Sequence, residues 1–188
     1  MKNSEKITED IFCEQNFSSF HSSIYNKDLN SQECKEFLIE VRDILNKKNI
    51  NYFLLFGTLL GAYREKDFIK HDKDIDIGIF LDSKNDLEDL VLQGVFAEKN
   101  IKFFKDRGYS LQKGDSYMDI YPFTMDGDEY RSLLGWEYNY RLKKKYFPTE
   151  RIEFVGEEFE TISNIEDYLI EKYGENWRIP IKGISASS

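Results

Sequence analysis

From Asn30 onward the apolar residues recur at helical intervals. Cys34, Phe37, Leu38, Val41, Ile44 and Leu45 fall three, four and seven apart, and Asn30 with Glu33 gives a start signal. This predicts an amphipathic helix that ends near Lys47 and Lys48, where cations suit the helix dipole. Tyr52 to Phe56 is a short aromatic and aliphatic run stopped by Gly57, which reads as a buried strand, and Thr58 to Tyr63 reads as a helical turn directly after it. Arg64 to Lys73 is charged and irregular, a loop. Asp74 to Phe80 then alternates strictly, with Ile75, Ile77 and Ile79 on one side and Asp74, Asp76 and Gly78 on the other. Helical spacing returns through Leu87, Leu90, Val91 and Val95, predicting a helix from Asn85 to about Glu98. Strands are expected at Ile101 to Phe104, Tyr109 to Gln112 and Met118 to Phe123, separated by Gly108 and Gly114. Tyr130 to Phe147 is aromatic and basic together and reads as helix and loop. Ser163 with Glu166 forms a capping box before a last helix, whose face carries Ile165, Tyr168, Leu169 and Tyr173 and which Gly174 terminates. Mixed helices and strands in this order predict an α+β (α/β mixed) fold. Residues 1–30 show no sustained period and read as an extension packing through Phe12, Phe17 and Phe20. Residues 31–188 read as a single domain.

Composition narrows the function. The 188 residues are 40% hydrophobic and 15% aromatic, enough for a real core. Lys+Arg number 26 against Asp+Glu 35, a net charge of −9, which argues against a broad footprint on duplex nucleic acid. No run approaches the roughly 20 apolar residues of a membrane-spanning helix. Lys2, Glu5, Glu9, Asp10 and Glu14 interrupt the first twenty residues, unlike a signal peptide, so the expected place is the cytoplasm or the inner membrane surface. Cys13 and Cys34 are too few for a disulfide framework and lack zinc-ligand spacing.

The chemistry concentrates on acidic strands. Asp74 and Asp76, two apart on a strand, point to the same side with α-carbons about 6.6 Å apart, so both carboxylates can converge on one cation. A merely solvated strand face normally carries Lys, Thr or Ser, whereas Asp is depleted from strands and like charges repel. Oxygen ligands in an open pair suit Mg²⁺ (or Mn²⁺), which keeps waters for exchange with phosphate oxygens. Asp72 shares the face if the strand extends that far. Upstream, Gly57 and Thr58 turn the chain from strand into helix, and amides at a helix start beside a glycine suit phosphate, although a tight structural turn explains them alone. Asp119 sits inside the apolar run Met118 to Phe123. There an acid needs a partner, which a metal site or an arginine would supply.

Gly57-Thr58-Leu59-Leu60-Gly61-Ala62-Tyr63-Arg64, Phe68-Ile69 and Asp72-Lys73-Asp74-Ile75-Asp76-Ile77-Gly78 together resemble the LicD and fukutin-related family of phosphotransferases, within the nucleotidyltransferase superfamily. Asp119-Ile120-Tyr121-Pro122 is similar to that family's third acidic strand, and Phe154 to Pro180 to its C-terminal segment. His71 stands where the family more often has Trp. The resemblance implies a nucleotidyltransferase-like mixed sheet, a Gly57-Thr58 turn holding donor phosphate, divalent metal on Asp74 and Asp76, and Asp119 completing the cluster. It implies transfer of a phospho-alcohol, such as phosphocholine or a polyol phosphate, from a cytidine diphosphate (CDP) donor to a sugar hydroxyl of a glycan or lipid-linked glycan. Superfamily relatives instead move a nucleoside monophosphate to a small molecule, RNA or protein, and a binding module with a relic acidic strand is the non-enzymatic alternative. On the mechanism so implied, Asp119 binds a second metal or takes the acceptor proton, and Arg64 meets donor phosphate as a fixed cation unless it is an ordinary solvated charge. Tyr168, Tyr173 and Trp177 supply either a wall for base or acceptor, or the core stripe of the last helix.

Overall fold

The first expected helix forms over Ser31–Lys47 (α1) in the computed structural model, which describes residues 30–81, 84–105, 108–134 and 140–180. The Asn30 side chain caps it by accepting from the amides of Gln32 and Glu33, and Cys34, Phe37, Leu38, Val41, Ile44 and Leu45 are buried. The proposed packing of Phe12, Phe17 and Phe20, and Cys13, lie outside the described residues.

The remaining elements are β1 (Tyr52–Leu54), α2 (Phe56–Arg64), β2 (Ile75–Phe80), α3 (Lys84–Leu92), β3 (Lys102–Lys105), β4 (Tyr109–Lys113), β5 (Ser116–Asp126), β6 (Glu129–Ser132), β7 (Arg141–Lys143), β8 (Glu150–Phe154), β9 (Glu157–Thr161) and α4 (Ile165–Tyr173). One nine-stranded sheet runs β3-β4-β5-β2-β1-β9-β8, with β6 on β5 and β7 on β6. The pairs β2/β5 and β1/β9 are parallel and the others antiparallel, so the sheet is mixed as expected. Phe123 pairs with Phe80 on one edge and Ser132 on the other, so β4 and β6 follow one another along the same edge of β5.

Strand parity sorts the two faces. Ile75, Ile77 and Ile79 with Met118 and Ile120 form the face that α1 covers, where Cys34 Sγ lies 3.6 Å from Ser116 Oγ. Asp76, Gly78 and Phe80 share the opposite face with Asp119, Tyr121 and Phe123, and α2 and α4 pack there. Gly78 faces Phe53 across β1/β2, and the Phe53 ring fills the space that a side chain at residue 78 would occupy. That ring also packs against Phe80, Phe123 and Phe147, with centroids 5.0, 5.8 and 5.5 Å away.

Four expectations are corrected. The helix after β1 begins at Phe56, not Thr58, because the strand ends at Leu54. The third helix stops at Leu92, since Gly94 takes φ +71° and turns the chain into a short 3-10 turn at Ala97–Lys99. Between Tyr130 and Phe147 the described residues form β6, β7 and a 3-10 turn at Lys144–Tyr146 in place of the expected helix, because their side chains pair across strands, as Tyr130 does with Leu142. The capping box does not form. Asn164 precedes α4 without a side-chain cap, while Ser163 Oγ and Asn164 Nδ2 donate to the Lys145 carbonyl. The hairpin β8–β9 was not foreseen. It turns at Val155 and Gly156, both with positive φ, and its Ile152, Phe154 and Phe159 are buried.

Candidate active site

Asp76 and Asp119 lie directly opposite each other in the parallel β2/β5 ladder, and Asp74 immediately precedes β2. Each of the three brings a carboxylate oxygen to within 4.8 Å of the others. Asp76 is 6% exposed, and the other two are half-buried.

Local structure holds Asp76 and Asp119 in place. The Asp76 backbone amide donates to Thr58 Oγ1 at 2.8 Å, and the Gly57 amide hydrogen-bonds the Asp76 carboxylate at the start of α2. The turn that links β1 to α2 is thereby tied to the acidic strand. The absence of a side chain at Gly57 lets the Asp72 carboxylate approach this turn closely; a Cβ there would displace it. Asp119 Oδ1 accepts from Ser110 Oγ at 2.7 Å, and Ser110 Oγ accepts in turn from the Tyr117 hydroxyl at 2.6 Å. Ser110 is the cross-strand partner of Asp119 in β4/β5.

The electrostatics follow from burial of like charges. Burial, then the charges of Asp74, Asp119 and Asp72, push the Asp76 carboxyl well above the ordinary carboxylate range. Burial and Asp74 push Asp119 up to about 6 against the hydrogen bonds from Ser110 and Tyr117. Burial and Asp74 push Asp72 up to about 7, and its carboxyl hydrogen-bonds that of Asp74. Asp72 is not one of the converging trio. A cation among the three oxygens would relieve this repulsion, and an all-carboxylate donor set fits a hard divalent ion.

Aromatic side chains wall the cluster. The Tyr121 hydroxyl is raised by burial and then by Asp76 and Asp119, and the Tyr173 hydroxyl by burial and then by Asp76, Asp72 and Asp74. Tyr121 lies two residues beyond Asp119, so strand parity alone places it on the acid side. Arg64 is engaged elsewhere: Nη1 donates to the Trp177 carbonyl at 3.0 Å, and Nε and Nη2 bind Glu65. Trp177 and Tyr168 are buried in the core. No role is assigned to His71.

A family model described as LicD/FKTN/FKRP, nucleotidyltransferase domain, matches residues 49–161. The chain belongs to the LicD/FKTN/FKRP family. The matched span takes in the whole acidic cluster and stops before α4. Among similar proteins, ribitol-5-phosphate transferase FKTN of Homo sapiens is 30% identical over 161 residues, covering 80% of this chain and 34% of that protein. The FKTN of Macaca fascicularis is 31% identical over the same lengths. An uncharacterized protein of Caenorhabditis elegans, T07A5.1, is 47% identical over 174 residues, covering 78% of this chain and 42% of its own. The chain thus spans about a third of the length of its FKTN relatives. Among solved structures, the lincomycin-bound lincosamide antibiotic adenylyltransferase LnuA superposes with a TM-score of 0.52 at 16% identity, over 78% of this chain and 89% of that one. The nucleotidyltransferase-like fold is therefore shared. Among the described residues no helix is long and apolar enough to cross a membrane.

Two outcomes are expected for this LicD/FKTN/FKRP site. Metal-free protein should lose stability as pH rises from about 4 to about 7. Asp72 and Asp119 keep protons in the folded state at pH values where the unfolded chain has released them, so their contribution is full below about 4 and gone above about 7. Melting temperatures taken with a chelator from pH 4.5 to 8 would show the decline, and Mg²⁺ should reverse it at the alkaline end. A flat or rising chelated profile would contradict it. Ser110→Ala should weaken Mn²⁺ binding by about 10–100-fold in calorimetry, by freeing Asp119 from its tether while leaving the carboxylate present. Unchanged affinity would show that the tether does not orient Asp119.

Proposed function

We propose that this chain transfers a phospho-alcohol, phosphocholine-like or a polyol phosphate, from a CDP-activated donor to a sugar hydroxyl of a cell-surface glycan or its lipid-linked precursor. The observation that carries the reading is the convergence of Asp74, Asp76 and Asp119 within 4.8 Å, beside the start of α2, in a chain of the LicD/FKTN/FKRP family. Relatives that are ribitol-5-phosphate transferases support the reaction class.

Asp74, Asp76 and Asp119 are the residues assigned to hold Mg²⁺ or Mn²⁺. Bound there, the ion supplies neutralisation of charge on the donor's phosphate oxygens. The Gly57-Thr58 turn presents the positive end of α2 to the donor phosphate and orients it. Arg64, held by Glu65 and the Trp177 carbonyl, contributes positive charge to the donor site without a direct contact. Asp119 either completes the ligand set or, left free of the ion, takes the proton of the attacking sugar hydroxyl.

The deciding experiment is product analysis. Incubation with Mg²⁺, a CDP-alcohol and a glycan acceptor should release cytidine monophosphate. Pyrophosphate release from a nucleoside triphosphate would instead establish nucleoside monophosphate transfer, and donor binding without turnover on any acceptor would make the chain a binding module.

A further inference from the structure

We propose that Lys172 is a charge gate on the donor's alcohol: its ammonium occupies the aromatic seat beside the acidic cluster, so the site admits a neutral polyol and rejects an alcohol carrying a quaternary ammonium. The inference rests on the CDP-alcohol reading above and deepens it by naming the class of alcohol.

The position of Lys172 is the first argument. Ile165, Tyr168, Leu169 and Tyr173 form the inward stripe of α4, and residue 172, three beyond Leu169 and four beyond Tyr168, falls on the same stripe. An apolar residue is the expected occupant. Lys172 is instead half-buried, with Nζ 5.8 Å from the Phe56 ring centroid and 5.9 Å from that of Tyr140.

The seat is the second argument. Phe56, Tyr121 and Tyr140 pack mutually, with centroid separations of 5.1, 5.0 and 5.4 Å. Tyr121 follows Asp119 by two residues on the same strand face, and Phe56 precedes Gly57, whose amide binds the Asp76 carboxylate, so the seat adjoins the acidic cluster. Phe56 enters it with φ +42°, a left-handed conformation that a bulky residue adopts only where its surroundings enforce it.

Charge completes the case. Faces of aromatic rings attract cations, and a three-ring cluster is the kind of surface that receives a quaternary ammonium. Here the protein places its own cation over two of the rings. The charges that bear on it are Glu171 and Lys143. Glu171 accepts at 2.7 Å from both Lys143 Nζ and the Tyr146 hydroxyl, and burial followed by Lys143 holds the Lys172 pKa below its ordinary value. A second fixed cation entering the seat would meet Lys172 at close range in a partly desolvated site, where like-charge repulsion is strong. A hydroxylated neutral chain meets no such penalty and can accept hydrogen bonds from the ammonium.

The test measures binding of CDP-ribitol and CDP-choline by calorimetry, with Mg²⁺ present, to the wild type, Lys172→Met and Lys172→Arg. The wild type should favour the ribitol donor by between about tenfold and about a hundredfold. Lys172→Met should shrink that ratio at least about tenfold, mainly by strengthening the choline donor, and Lys172→Arg should preserve it. A Lys172→Met variant that melts like the wild type but weakens both donors equally, or keeps the ratio, would overturn the gate and leave the CDP-alcohol reading standing. Preference of the wild type for CDP-choline would overturn the gate as well. Binding of neither donor by the wild type would overturn the donor reading and the gate with it.

Discussion

Asp76→Asn is expected to abolish turnover, by on the order of 10³-fold or more, while raising the melting temperature of the metal-free protein. The two effects share one cause. Asp76 is 6% exposed, and its ionised form is opposed first by burial and then by Asp74, Asp119 and Asp72. An amide of the same shape removes the desolvated charge yet still accepts from the Gly57 amide, and the backbone bond to Thr58 is untouched. Activity falls because one of three converging oxygens loses its charge and Mg²⁺ affinity falls with it. Cytidine monophosphate release, Mn²⁺ calorimetry and thermal melting together check this. An active variant would remove Asp76 from the mechanism, and a variant that fails to fold would make the acidic pair a structural element.

The largest expected stability loss comes from the same strand, two residues on. Gly78→Ala places a methyl group inside the ring of Phe53, whose Cε1 lies 2.8 Å from the ideal Cβ and whose Cζ and Cε2 are closer still. Phe53 is fully buried and caught between Phe80, Phe123 and Phe147, so it has nowhere to retreat. Overpacking of this kind costs about 1–3 kcal/mol or more. At roughly 2–4 °C per kcal/mol for a chain of this size, the melting temperature should drop by several degrees. Phe53→Leu in the Gly78→Ala background should recover part of the loss, a non-additivity that a double-mutant cycle reads directly. A Gly78→Ala variant that melts with the wild type would show that the ring can shift without cost.

How much of this was legible beforehand depends on the range of the interaction involved. Asp76 announced itself because strict alternation from Asp74 to Phe80 reports a strand and its two faces within seven residues. Helix α1 was equally plain, since its stripe and its Asn30 cap are local. The partners of Asp119 were not. Ser110 matters only because β4 and β5 pair in the register that sets it opposite Asp119, and no short-range pattern encodes a register. The crowding of Phe53 on Gly78 is hidden for the same reason. The β6–β7 region misled because Tyr, Arg and Lys in mixed order satisfy helix and strand alike, and pairing with β5 decides between them. The hairpin β8–β9 did carry a signal, alternation around Val155-Gly156, which a family likeness to the whole C-terminal segment obscured. Lys172 falls on the inward stripe of α4 by spacing alone, but the Phe56 and Tyr140 rings beneath it come from distant stretches of chain that no short-range pattern brings together.

Because Asp76 and Asp119 occupy one rung of a parallel ladder, the centre tolerates change unevenly along the chain. Adding a single residue within either strand would swing its acid to the isoleucine side and extinguish the site at a stroke. Adding several in the turns between Gln93 and Asn100 would leave the rung intact. Homologues should therefore differ in length there and almost never inside the two strands, a pattern that aligned sequences can score without any enzymology.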